Sequence, residues 1–246
     1  MGVLLLAGVA AGIVGSTAGL ASLVSYPVLL LAGLPPVTAN VTNTLGLIGS
    51  SIGSVAGSHP ELRGLGLVVR RRLPVAVLGG AAGALTLLAS PPGSFERVVP
   101  FLVALASILL LLSPRLRRVG HAATTDRRPD GGPVVVVLVL LCCVYGGYFG
   151  AAAGVMLLAV LLSRTDRSLP VSNALKNLLL GVANATAAVV FAVHAPVDWP
   201  AVPPLLAGCV VGGWLGPAVV RRVPPGILRW VIGVAGLALA VRLALG

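Results

Sequence analysis

From Val134 to Leu162 the chain runs for 29 residues without one charged side chain. About 20 apolar residues already span the hydrocarbon core of a bilayer, and a soluble domain cannot bury so long a run inside itself. The rest of the chain obeys the same constraint. Of 246 residues 57% are hydrophobic and 9% charged, with a mean hydropathy of +1.06, whereas ordinary globular chains are about a quarter charged. Disorder, a collagen-like fibre and a soluble enzyme core are excluded on these grounds. The chain is expected to be an all-α integral membrane protein that crosses the bilayer several times, because helices close their own backbone hydrogen bonds in lipid.

Seventeen Lys+Arg against six Asp+Glu give a net charge of +11. In a soluble protein that balance suggests nucleic acid. Here the basic residues fall in short connectors between apolar runs and aromatics are only 4%, so they read as loops on the cytoplasmic face of a membrane. No nucleic-acid partner is expected. Cys142, Cys143 and Cys209 lie inside apolar runs without metal spacing, and an odd count does not make a disulfide framework; they read as small packing residues. No basic n-region precedes the first apolar stretch, so Gly2 onward is expected to be mature sequence rather than a signal peptide.

The chain repeats itself. Leu34-Pro35-Pro36-Val37-Thr38-Ala39-Asn40-Val41-Thr42-Asn43 aligns with Ser168-Leu169-Pro170-Val171-Ser172-Asn173-Ala174-Leu175-Lys176-Asn177 at an offset of 134. Upstream, Gly15-x-x-x-Gly19 meets Gly150-x-x-x-Gly154; downstream, Gly79-Gly80-x-x-Gly83 meets Gly212-Gly213-x-x-Gly216, and Pro92-Gly93 meets Pro225-Gly226. Matches in one order with near-constant spacing are the mark of a duplicated unit. The expected organisation is a first membrane repeat over 1–114, a basic cytoplasmic linker over 115–133 and a second repeat over 134–246.

Each repeat opens with a long apolar stretch interrupted by glycines, Val3 to Gly33 or Val134 to Ser163. Three ordinary spans follow, expected near Val37–Gly57, Leu73–Ser90 and Val98–Ser113, then near Val171–His194, Val202–Val220 and Ile227–Leu245, with proline and glycine at their ends. Loop charges choose between two topologies. If each opening stretch is a single crossing, arginines divide ten to six between the two sides. If each is a hairpin broken near Gly15–Gly19 or Gly150–Gly154, each repeat crosses three times and the second is inverted; one side then collects fourteen arginines and the other only Arg97 and Arg242. The bias of Lys and Arg toward the cytoplasm prefers the second scheme, with both termini outside and the linker inside. The expected fold is two inverted-topology repeats, each a glycine-broken helical hairpin plus three transmembrane helices. Such repeats place a polar site near the midplane, where helix ends face substrate.

The candidate site is the polar start of the second element of each repeat. Asn40, Asn43 and Thr44 share one helical face, with Thr42 beside them, and Asn173, Lys176 and Asn177 share another. Amides, hydroxyls and helix N-termini suit a small oxyanion; the alternative is that they hydrogen-bond between helices. Lys176 is the only lysine and lies several positions into a span, which marks a functional residue unless it snorkels to the surface. Tyr145 and Tyr148 flank the second break and could donate hydroxyls. The six acidic residues, Glu61, Glu96, Asp126, Asp130, Asp166 and Asp198, lie outside the expected spans, so no carboxylate proton relay is expected. His59 and His194 stand at helix ends and read as interfacial, with a titrating role left open. No P-loop, metal-ligand cluster or Ser-His-Asp set is present, and no cofactor or enzymatic activity is expected.

Two repeats with glycine-broken openings, the Ala39-Asn40-Val41-Thr42-Asn43-Thr44 and Asn173-Ala174-Leu175-Lys176-Asn177 elements, and the stretch from Phe191 to Trp199 resemble the sulfite exporter TauE/SafE family of membrane permeases over nearly the whole chain. The resemblance implies movement of a small anion (sulfite, a sulfonate or a related organosulfur or carboxylate anion) across a prokaryotic cell membrane. A permease working by alternating access is therefore expected, with the bilayer and a small anion as partners and a homodimer left open. An anion channel and a non-transporting membrane assembly subunit are the alternatives.

Overall fold

The computed structural model describes residues 1–122, 132–220 and 225–245, and every element among them is helical. Helices α1 (Gly2–Ala18) and α2 (Ser22–Leu31) come from the first apolar stretch; α3 (Pro36–Gly57), a short α4 (His59–Leu62), α5 (Gly66–Ala89) and α6 (Ser94–Ala122) complete the first half. The second half comprises α7 (Gly132–Tyr148), α8 (Ala153–Arg164), α9 (Leu169–His194), α10 (Val202–Val220) and α11 (Pro225–Leu245). Helices α3, α9 and α10 fall on the expected spans. Two elements run longer than expected. α5 begins at Gly66, so Arg70–Arg72 lie within the helix, and α6 continues through 115–122 into the expected linker. Arginine has a good helix propensity, which lets an apolar span extend through it. Residues 123–131 of that linker, with Arg221 and Arg222, lie outside the described residues.

Both opening stretches break where expected. α1 ends on Gly19, whose φ of 77° is left-handed and whose N–H donates to the Val14 and Gly15 carbonyls. A residue with a side chain resists that conformation, which is why glycine closes helices this way. α7 ends similarly: Gly150 has φ 79° and donates to Tyr145 O, and Ala152 follows at φ 65°. A non-glycine residue held there stores of order 1 kcal/mol, so the second break is the tighter one. Proline in the first turn starts both α3 and α9, where its missing N–H costs no helical bond.

Glycine contacts fix the direction of each helix pair. Gly8 packs on Leu205–Cys209, Gly12 on Cys209–Gly213, and Gly216 on Ile13 and Ser16, so α1 and α10 run the same way. α3 also runs with α10, since Gly46 meets Leu205 and Gly53 meets Val210 and Trp214. Both α1 and α3 descend beside α10, so α2 must climb back between them: the opening stretch is a hairpin. The counterpart contact repeats this pattern. Gly79 packs on Leu140 and Cys143, and Gly83 on Val144 and Tyr148, so α5 and α7 run together. By contrast α6 and α11 are antiparallel, Gly233 meeting Leu111 and Gly236 meeting Ser107. α3 and α9 are antiparallel too, with Thr42 level with Asp198 and Ser51 level with Gly181. Small residues permit this close approach, the main attraction available between helices in lipid. Cys142, Cys143 and Cys209 are buried and free within these contacts, as the packing reading expects.

Candidate functional site

The two breaks touch. Gly19 lies against Gly154, so closely that a Cβ on either would collide with the other's backbone. Beside this contact a cavity of about 50 Å³ is walled by Gly15, Gly19, Gly150 and Gly154 from the breaks, Ser50, Ser51 and Ser54 from α3, and Lys176, Asn177 and Asn184 from α9. A water needs about 10–15 Å³ by this measure, so the space suits a few waters or one compact oxyanion. Among the described residues no carboxylate lines it.

A helix that stops inside a protein leaves its last carbonyls without partners. Here each half supplies the other's. Asn173 and Asn177 donate Nδ2 to Ser16 O at 3.0 and 3.2 Å, and Lys176 Nζ donates to Gly15 O at 3.3 Å, at the end of α1. Lys176 Nζ also donates to Asn173 Oδ1 at 2.8 Å. At the end of α7, Asn40 donates Nδ2 to Tyr148 O at 2.9 Å. The helix-bonding alternative thus describes part of what these amides do. Lys176 is 1% exposed, so it does not snorkel to the surface. Its ammonium sits at the negative end of the α1 dipole and on the cavity wall, so it is positioned to meet an anion there.

The candidate residues divide. Lys176 and Asn177 line the cavity and Asn173 braces Lys176. Asn40 and Asn43 are buried away from the cavity, and the Ser25 hydroxyl bonds the Asn43 amide oxygen. Thr42 accepts a hydrogen bond from the Asp198 N–H at 3.0 Å, and Thr44 Oγ1 donates back to Asn40 O; neither lines the cavity. Tyr148 packs its ring on Phe95, with centroids 5.9 Å apart, and the Tyr145 hydroxyl is buried without a hydrogen-bond partner. Neither tyrosine lines the cavity, because both project from the last turn of α7 into its packing. His59 and His194 are exposed at helix ends, away from the cavity lining. Sequence reasoning missed Ser50, Ser51, Ser54 and Asn184. The signal was helical spacing: Asn184 lies seven residues, about two turns, beyond Asn177, and Ser50 seven beyond Asn43. Among the described residues no group of three His, Cys, Asp or Glu could hold a metal.

These features define a class: a multi-pass helical membrane protein with broken helices meeting at a small polar cavity. A sequence profile of the sulfite exporter TauE/SafE family matches residues 4–243, and the chain belongs to that family. It is 32% identical over 110 residues to a probable membrane transporter protein, ORF9, of a Sinorhizobium species, covering 43% of this chain and 41% of that one. It is 29% identical over 119 residues to a probable membrane transporter protein of Haemophilus influenzae, covering 47% of this chain and 46% of the relative. The matched stretch therefore spans less than half the length of either relative. No solved structure matches the chain significantly.

Proposed function

We propose that the protein is a secondary permease that moves a compact anion, sulfite or the head group of a sulfonate or carboxylate, by alternating access between two inverted repeats. The observation that carries this reading is the buried Lys176 ammonium on the wall of a cavity without carboxylates. In a low-dielectric interior such a charge favours an anionic counter-ion. The hydroxyls of Ser50, Ser51 and Ser54 and the amides of Asn177 and Asn184 supply neutral donors around it. The relatives named as membrane transporters support the transport part of the reading.

Helix directions support the inverted arrangement. If each opening stretch were one crossing, α3 would oppose α10 and α6 would run with α11. The contacts give the reverse in both cases. Broken helices at the interface of inverted repeats, facing a small cavity, are the common architecture of midplane substrate sites.

The deciding experiment is a thermal-stabilisation screen of purified protein with sulfite, thiosulfate, short sulfonates and carboxylates, followed by uptake into proteoliposomes. One anion class should stabilise the protein and be counter-transported. Single-channel currents would replace the permease with a channel, and no stabilisation by any anion would leave an assembly subunit. Accessibility tags in 123–131 and at the C-terminus should report opposite sides of the membrane; tags on the same side would break the inverted topology.

A further inference from the structure

Helices α3 and α9 sort polar from apolar side chains onto adjacent faces. Ser50, Ser54, Asn177 and Asn184 line the cavity. Beside it, Ile48, Ile52 and Val55 of α3 and Leu178, Val182 and Ala185 of α9 line an apolar groove of about 440 Å³. Each of these two triplets steps by four and then three residues, the spacing of one helical face. Ile52 is 55% exposed, and among the described residues no charged side chain lines the groove. In a bilayer such a groove opens to hydrocarbon.

One side chain belongs to both spaces. Ser51 lines the polar cavity and the apolar groove alike. It packs on Gly181 of α9, where an added Cβ would come within 2.7 Å of Ser51 Cβ and 3.0 Å of its hydroxyl. At this seam the polar and apolar spaces are divided by one hydroxymethyl group against bare backbone. A hydroxymethyl turns among three staggered rotamers, so the partition is a small and movable one.

The two volumes complement each other. The cavity of about 50 Å³ has room for a head group alone, with the Lys176 ammonium to fix its sign. The groove falls within the roughly 300–1,000 Å³ of ligand pockets, yet Ser51 is its one polar side chain. A ligand confined to the groove would leave the buried charge unused, and one confined to the cavity would leave the groove to lipid. An amphiphile with a negative head uses both.

We infer that the cavity and the groove together hold one amphiphilic anion, a straight-chain alkyl sulfonate or carboxylate. Its head group sits against Lys176 and Asn177, and its chain passes over Ser51 into the groove between α3 and α9. The inference rests on the anion reading of the cavity and narrows its substrate class. The chain adds affinity by leaving water for an apolar wall, a gain that grows with every methylene the groove can cover.

The test is a chain-length series on the purified full chain in lipid nanodiscs. It runs from methanesulfonate to octanesulfonate, with a parallel carboxylate series from acetate to octanoate, all below micelle-forming concentrations. Affinity in one series should rise about two- to fourfold per methylene and level off where the groove ends. Ile52→Trp fills the groove and should flatten that rise, leaving the shortest anion within about twofold, less than one lost hydrogen bond. Gly181→Ala, which presses on Ser51, should weaken the longest anion more than the shortest. Lys176→Met should lower the whole series by about a hundredfold or more, as for a broken buried ion pair, and keep its slope. Binding of the shortest anion with no gain along the chain, or a gain that survives Ile52→Trp, would overturn the tail seat alone and leave the groove to bilayer lipid. No binding of any member of either series would overturn the anion site and the inference with it.

Discussion

The polar starts of α3 and α9 share one sequence pattern and do the same mechanical job on opposite halves. Each offers asparagine amides to the broken end of the other half's opening helix. They differ in charge. α9 carries Lys176 into a cavity, whereas α3 carries Thr42 toward the Asp198 loop and leaves the Asn40 amide oxygen without a partner among the described residues. Both elements thus satisfy backbone carbonyls, because no membrane helix can leave carbonyls bare, while the remaining side chains differ between them.

The largest expected effect comes from removing that charge. Breaking a buried ionic contact costs about 3–5 kcal/mol, so Lys176→Met should lower anion affinity by about two orders of magnitude or more, measured by titration calorimetry. Lys176→Arg should not restore it, because a planar fork does not replace a compact ammonium. Moving the lysine, in Lys176→Thr with Thr42→Lys, should also fail, since position 42 addresses Asp198 rather than the cavity. Wild-type affinity in Lys176→Met would sink the anion site.

Next comes the contact between the breaks. Gly154→Val must push its side chain into the backbone of Gly19, and overpacking of this kind costs about 1–3 kcal/mol. Thermal unfolding in detergent should show that loss, with transport falling further than stability if the breaks must slide past each other. An unchanged melting temperature would show that the breaks are not pressed together.

The comparison sharpens with the paired asparagines. Asn177→Ala removes a cavity-lining amide and a bond to Ser16 O, and should weaken the anion about tenfold, as expected for a hydrogen bond worth about 1–1.5 kcal/mol. Asn43→Ala, outside the cavity, should leave anion affinity within about twofold, well below the loss of one such bond. Equal losses in both variants would merge the two polar centres into one site. The smallest effect is expected for Ser50→Ala, one hydroxyl among several, at about two- to fivefold, less than a full bond.

Much of this was legible before any coordinates. Gly19 and Gly150 announced the breaks, and Pro36 and Pro170 the helix starts, because both residue types act through local backbone geometry. The arginine split preferred the hairpin. What failed to show was the sorting of the polar residues. Thr42, Thr44, Tyr145 and Tyr148 are the right chemical types, yet Thr42 meets the Asp198 N–H, Thr44 the Asn40 carbonyl one turn back and Tyr148 the Phe95 ring, contacts that sequence does not show. Ser50 and Asn184 went unremarked because, deeper in a span, a lone hydroxyl or amide looks the same whether it faces a cavity or a neighbouring helix.

Sequence alone determined that the chain lives in a bilayer and where each opening helix breaks. These follow from hydropathy and the backbone limits of glycine and proline, all of which act over a turn or two. Only the tertiary structure decided that the two breaks meet, that each half caps the other and that Lys176 reaches a cavity while Thr42 does not. Those outcomes depend on which surfaces approach within hydrogen-bond distance, and that is set by small-residue packing between helices distant in the chain.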